Sequence, residues 1–219
     1  MNTEQWLNHL LPCPKELSID DSIEVEIAHL TIEMVGDVTP QVEQAVAELR
    51  DLLTSEGKTD RGDQTFTIVL GTPDAQGRLG SVYVDVDFLR SCLNSEQAYL
   101  IQPVDRGGLA IAALDGRGLY YGASTLRQLL NASRSAERVL VPLVHVRDWP
   151  DLSERGLWNF PDEQNWIPWM ADMKLNFGKM VATQLAPIQR GQPNSATIDR
   201  DLMLESRRRA FNYSPFILH

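Results

Sequence analysis

Three polar residues at the ends of apolar runs are the first places in this sequence where ligand chemistry could sit. Asn159 follows Gly156-Leu157-Trp158, Gln184 closes the run from Lys179 to Thr183, and His219 stands after the run from Tyr213 to Leu218. Each run reads as a strand, and amide and imidazole groups at strand ends exchange hydrogen bonds with hydroxyl-bearing ligands. Trp158 adjoins Asn159 and, with Trp166 and Trp169, offers aromatic faces for stacking. The same residues also have plain structural uses. An Asn or Gln at a strand end satisfies loop backbone groups, and Trp166, Trp169, Met170 and Met173 recur at the spacing of a buried helix face.

Other constellations are weaker. Asp162 and Glu163 are adjacent carboxylates, but consecutive side chains diverge and cannot both reach one bond, so they read as a solvated loop pair rather than a catalytic one. The glycines Gly116, Gly118 and Gly122 suggest a phosphate cradle. A dinucleotide fingerprint, however, places its third glycine where Tyr121 stands and follows the first strand of a parallel sheet, whereas a hairpin precedes this one. These glycines read instead as a tight turn with close helix–sheet packing, and no cofactor is expected. Cys13 and Cys92 are far apart and form no C-x-x-C pair, so neither a metal site nor thiol–disulfide chemistry is expected. Arg207-Arg208-Arg209 falls at the end of a predicted helix, where positive charge complements the helix dipole.

The elements that must position these residues follow from composition and periodicity. The chain has 219 residues, 43% of them hydrophobic and 23% charged, within the range of folded globular proteins. Its formal net charge of -10 argues against nucleic acid and anionic membranes as partners. The first lysine or arginine is Lys15 and the Trp6–Leu11 stretch is too short for a signal or a span, so no signal peptide is seen and a soluble, cytoplasmic protein is expected. The sequons at Asn131 and Asn212 are short enough to arise by chance.

Period-two alternation between Leu10 and Ile32 predicts two strands. Thr39-Pro40 then opens a helix to about Ser55, with Val42, Ala45, Val46, Leu49, Leu52 and Leu53 on one face. A strand is predicted over 65–70, a short helix over 85–93, a hairpin from strands 98–103 and 108–113, an amphipathic helix over 118–131 and a strand over 139–146. This is an α+β fold, an antiparallel-rich sheet with helices on one face, and it ends at Trp149-Pro150. Strand then alternates with helix: strand 156–160, helix 165–174, strand 179–184, helix 199–209 capped by Asp199, and strand 213–218. About three strands and two helices make an incomplete (β/α) barrel start, since a whole barrel needs about 250 residues. A fragment of a longer protein is expected.

Three stretches resemble, in order and spacing, the amino-terminal half of β-N-acetylhexosaminidase-like glycoside hydrolases of families 20 and 84. Leu10-Leu11-Pro12-Cys13-Pro14-Lys15 resembles the opening P-x-P strand of the family's accessory domain. Ala98-Tyr99-Leu100, Leu109 to Ala113 and then Gly118-Leu119-Tyr120-Tyr121-Gly122-Ala123-Ser124-Thr125-Leu126-Arg127-Gln128-Leu129-Leu130 are similar to its G-L-x-Y-G-x-x-T-L-R-Q-L-L helix and the strands before it. Val141-Pro142, Asp148-Trp149-Pro150 and Arg155-Gly156 look like its D-x-P … R-G passage into the first barrel strand.

The resemblance implies a hexosaminidase-like accessory domain over residues 1–150 and the beginning of a TIM-barrel catalytic domain over 151–219. It further implies carbohydrate as the substrate of the full-length protein and substrate-assisted hydrolysis, in which the sugar's acetamido group attacks the anomeric carbon. The carboxylate pair for that chemistry normally ends the fourth barrel strand, so the catalytic residues are expected beyond residue 219 and none in this chain. Asn159, Gln184, His219 and Trp158 remain the substrate-binding candidates. Phe160 and Glu163 stand where family 20 usually has an aspartate and a substrate-binding arginine, which leaves a relative acting on another glycan open. The alternative is a stand-alone, non-catalytic carbohydrate-binding or scaffolding module. Open barrel edges predict self-association of the truncated barrel.

Overall fold

A computed structural model describes residues 1–54, 65–105, 107–157, 163–181 and 199–216. The chain forms two compact units, Met1–Ser153 and Glu154–His219.

The first unit begins with α1 (Thr3–Leu7), closed by a capping box in which the Asn2 side chain accepts from Gln5 N and the Gln5 side chain accepts from Asn2 N. Strand β1 (Glu16–Glu26) leads through a 3₁₀ turn, Ile27–His29, to β2 (Leu30–Val35). Helix α2 (Pro40–Leu52) starts as expected, with Thr39 Oγ1 accepting from Val42 N and Pro40 in the first turn. There follow β3 (Phe66–Gly71), the short pair β4 (Arg78–Leu79) and β5 (Val82–Tyr83), α3 (Val86–Ser91), and the hairpin of β6 (Tyr99–Val104) and β7 (Gly108–Ala113). Helix α4 (Gly116–Ser133) and strand β8 (Arg138–Asp148) complete the unit.

Six strands form one sheet in the order β1-β8-β6-β7-β3-β2. The pairs β1–β8, β8–β6 and β6–β7 are antiparallel, while β7–β3 and β3–β2 are parallel. The sheet is therefore mixed although antiparallel pairs lead. The β2–β3 pair is parallel because the two strands are joined through α2, and a helix crossover returns the chain in the same direction.

Side-chain alternation divides the sheet into two buried faces. Tyr99, Ile111 and Ala113 meet α4, whose Gly118 and Gly122 lie against them, and α2 packs on α4. On the opposite face Val69, Leu100, Ala110 and Ala112 form a core with Leu79, Val84 and Leu89. The two long helices share one face, but α3 lies with the β4–β5 hairpin on the other, so the helices are not confined to one face as the sequence predicts. Two-residue strands carry no readable period, which is why β4 and β5 escape a reading by pattern.

The second unit contains β9 (Gly156–Leu157), α5 (Glu163–Asp172), β10 (Phe177–Val181), α6 (Arg200–Arg208) and β11 (Asn212–Phe216). Its strands lie in the order β11-β10-β9, and both pairs are parallel. Asp199 caps α6 by accepting from Leu202 N at 2.9 Å. Ile167, Met170, Leu202 and Phe211 form its buried cluster. Among the described residues of the chain, no helix is long and apolar enough to cross a membrane.

Candidate functional site

All four substrate-binding candidates, Trp158, Asn159, Gln184 and His219, lie outside the described residues, as does Asp162. The neighbouring tryptophans are described, and they correct the sequence reading. Trp166 and Trp169 are 37% and 46% exposed, whereas Ile167, Met170 and Ala171 are buried. The inward stripe of α5 is thus offset by one residue from the assumed Trp166–Trp169–Met170–Met173 face. Residues 167, 170 and 171 satisfy the three- and four-residue spacing of a helix as well as the tryptophans do, and periodicity alone does not choose between them. The two indoles meet edge to face, with ring centroids 5.2 Å apart and planes at 80°. With Asn165 they line a shallow cleft of about 360 Å³.

Elsewhere in the second unit, Arg155 is fixed by a fork. Its Nε and Nη2 both donate to Lys174 O, at 3.1 and 2.8 Å, its backbone N donates to Asn176 Oδ1 at 2.8 Å, and Asn176 N donates back to Arg155 O. This joins the approach to β9 to the turn between α5 and β10. Gly156 follows because a Cβ there would stand 1.9 Å from Phe177 O. The R-G pair is therefore held by backbone geometry.

In the first unit, the residues of the α4 signature each have a packing duty. A Cβ on Gly118 would lie 2.3 Å from Ala98 O, and one on Gly122 would lie 2.7 Å from Ile111 Cγ2, so only glycine lets the helix sit this close to β6 and β7. The Tyr120 hydroxyl donates to Glu48 of α2 at 3.2 Å, and Arg127 Nη2 stands 3.7 Å from the same carboxylate. Gln128 accepts from Leu11 N at 2.7 Å and donates to Leu11 O at 3.0 Å, which tethers the P-x-P segment to the helix. Gly118 and Gly122 thus serve close helix–sheet packing, the use read for them from the sequence.

The best-assembled polar cluster holds the segment by which the chain leaves this unit. The Tyr99 hydroxyl lies 2.7 Å from Thr125 Oγ1 and donates to Asp148 Oδ2 at 2.9 Å, while Lys15 N donates to Asp148 Oδ1 at 3.3 Å. The Lys15 ammonium pairs with Asp151 and lies 4.7 Å above the Trp149 ring. Trp149 meets Phe88 edge to face at 5.6 Å, and Arg147 lies over Phe88 at 4.8 Å while bonding Asp85 at 2.7 Å. Asn94 Nδ2 donates to Pro150 O and Gln97 Nε2 to Ser153 O, both at 3.0 Å. Residues 148–153 are thus clasped at nearly every step.

Electrostatically this cluster holds rather than reacts. Burial pushes the Tyr99 phenol well above its ordinary value, and the Asp148 carboxylate raises it further. Burial likewise raises the Cys92 thiol, with Glu16 adding to it, so Cys92 is not an activated nucleophile. Among the described residues, no three His, Cys, Asp or Glu side chains gather as a metal site.

Residues 8–149 match the family model described as "Glycosyl hydrolase family 20, domain 2". Among solved structures, the chain superposes on a family 20 exo-β-N-acetylglucosaminidase from Vibrio harveyi with a TM-score of 0.64 at 15% identity, over 94% of this chain and 35% of that one. On a chitobiase from Flavobacterium johnsoniae the TM-score is 0.62 at 18% identity, over 98% of this chain and 35% of that one. A β-N-acetylhexosaminidase from Streptomyces coelicolor A3(2) gives 0.61 at 17%, over 95% and 46%. At these identities the likeness establishes the fold, and this chain spans between a third and a half of those proteins' lengths.

Proposed function

The chain belongs to the family described as glycosyl hydrolase family 20, domain 2, and we propose that it is the amino-terminal part of a glycoside hydrolase that acts on glycans carrying N-acetylhexosamine. In this reading the first unit is the accessory domain, the second begins a TIM barrel, and the catalytic carboxylates lie beyond residue 219. The observation that carries the proposal is the family match over residues 8–149. It is supported by the parallel order β11-β10-β9 with α5 and α6 between successive strands, the connectivity with which a (β/α) barrel opens. The substrate class comes from what the similar Vibrio and Streptomyces proteins are described as doing.

Within the first unit, residues 148–153 are pinned through Tyr99, Lys15, Asn94 and Gln97, which gives this unit a well-fixed carboxy-terminal end. The barrel strands of this chain taken alone would present open edges, and we expect self-association through them.

The test is turnover of chromogenic N-acetyl-β-D-glucosaminide and galactosaminide by the protein made from its whole natural reading frame, beside the 219-residue chain. Hydrolysis by the longer protein alone is the expected result. Turnover by the 219-residue chain would overturn the placement of the carboxylates. A natural product ending at residue 219, inactive but glycan-binding, would favour a non-catalytic carbohydrate-binding module.

A further inference from the structure

One concavity of the first unit is explained neither by the clasp nor by helix packing. Alternation along β6 turns Leu100, Gln102 and Val104 away from α4. Leu100 enters the core beneath α3, and Val82 and Val104 pack at the edge of that core. Gln102 Nε2 donates to Tyr83 O at 2.9 Å, which fastens the β4–β5 hairpin to β6. Between the hairpin and the end of β6 opens a cleft of about 500 Å³, lined by Ser81, Val82 and Tyr83 of the hairpin and by Gln102, Pro103, Val104 and Asp105. Its volume is that of an ordinary small-molecule site.

The lining is chemically particular. Tyr83 is 65% exposed although its backbone is anchored on both sides, by the β4 pairing with Arg78 and by Gln102. The Arg78 guanidinium lies 5.9 Å from the ring centroid, which steadies the ring while most of the residue stays open to solvent. Around this platform stand a hydroxyl, a carboxamide and a carboxylate, with Pro103 and Val104 as the apolar wall. An anionic ligand is disfavoured by Asp105 and by the chain's net charge of -10. A purely apolar ligand would leave the polar groups desolvated. A ligand with apolar ring faces and a rim of hydroxyls matches both halves of the lining.

We propose that this cleft binds a neutral oligosaccharide, with Tyr83 as the stacking platform and Gln102, Ser81 and Asp105 exchanging hydrogen bonds with its hydroxyls. The choice of ligand class rests on the glycoside hydrolase reading above.

The experiment is a ¹H–¹⁵N NMR titration of the 219-residue chain with chitohexaose and, separately, cellohexaose, each to about 10 mM, where even weak millimolar binding is visible. Binding is expected to shift the Gln102 side-chain amide and the backbone amides of Ser81 and Asp105. Tyr83→Ala is expected to weaken binding at least tenfold with the remaining spectrum unchanged, and Tyr83→Phe to restore it. The proposal is overturned if neither sugar moves these resonances, or if the shifts survive Tyr83→Ala undiminished. Turnover by the longer protein with a silent cleft would sink this inference alone. A responsive cleft without turnover would sink the hydrolase reading and leave this one standing.

Discussion

The Tyr99 hydroxyl donates to Asp148 at 2.9 Å and lies 2.7 Å from Thr125, so one buried phenol joins β6, α4 and the last residue of β8. The contact couples the signature helix to the point where the chain leaves its first unit.

Tyr99→Phe is therefore expected to destabilise the first unit by about 1–3 kcal/mol, because Asp148 loses a buried donor. The same residue predicts an alkaline weakness. Its folded pKa is raised well above 10.0 by burial first and by Asp148 second. The unfolded chain releases this proton near its ordinary value while the folded one keeps it, so the contribution is fully present below about pH 10 and is lost as pH rises from there toward the folded pKa. Urea midpoints measured between about pH 8 and pH 11 should fall more steeply in the parent than in Tyr99→Phe. Equal slopes would show that Tyr99 does not govern the transition.

Gly118→Ala and Gly122→Ala should both destabilise, against the gain of about 1 kcal/mol that alanine brings to an open helix position. Gly118→Ala is the worse, since its Cβ would meet the Ala98 carbonyl at 2.3 Å and β6 would have to move. At Gly122 the obstacles are the Ile111 and Tyr99 side chains at 2.7 and 3.0 Å. Losses of about 3 kcal/mol or more and about 1–2 kcal/mol are expected from thermal melts. The reverse order would contradict the packing described.

Gln128→Ala removes both bonds to Leu11, and a loss of about 1–2 kcal/mol is expected. Faster hydrogen exchange at the Leu11 amide is the specific readout, because Gln128 is its acceptor. Gln128→Glu keeps that acceptor but sets a carboxylate against Leu11 O, so it should rescue the exchange more than the stability.

In the second unit Trp166→Phe and Trp169→Phe should change stability by less than about 0.5 kcal/mol, as exposed residues do. Met170→Ala, at a fully buried position, should lose about 2–5 kcal/mol. Denaturation of each variant decides the register of α5, and a severe loss at either tryptophan would return it to the inward face.

Strong local signals were legible in the sequence. Thr39-Pro40 and Asp199 announce helix starts by cap chemistry, and the β6–β7 hairpin shows in two apolar runs separated by a turn. The α4 signature was legible as a packed helix because its glycines fit no phosphate-binding spacing. Helix α1 was missed although Asn2 and Gln5 have capping-box spacing, because five residues hold too few apolar positions to form a stripe. The one-residue offset of α5 was missed because tryptophan outranks isoleucine and alanine on any scale of bulk, while burial depends on what lies opposite. The clasp was invisible for another reason. Lys15, Tyr99, Thr125 and Asp148 are scattered along the chain, and only the fold makes them neighbours.

The placement of β1 beside β8 carries a consequence for biosynthesis. Lys15 and Asp148, bonded at one end of this pair, are 133 positions apart. At about 5–20 residues per second, the ribosome takes on the order of ten seconds to deliver the second partner after the first. Throughout that interval the β1 segment has no β8 to pair with, and Asp20, Asp21, Glu24 and Glu26 along it supply the like charge that discourages nascent chains from pairing with one another.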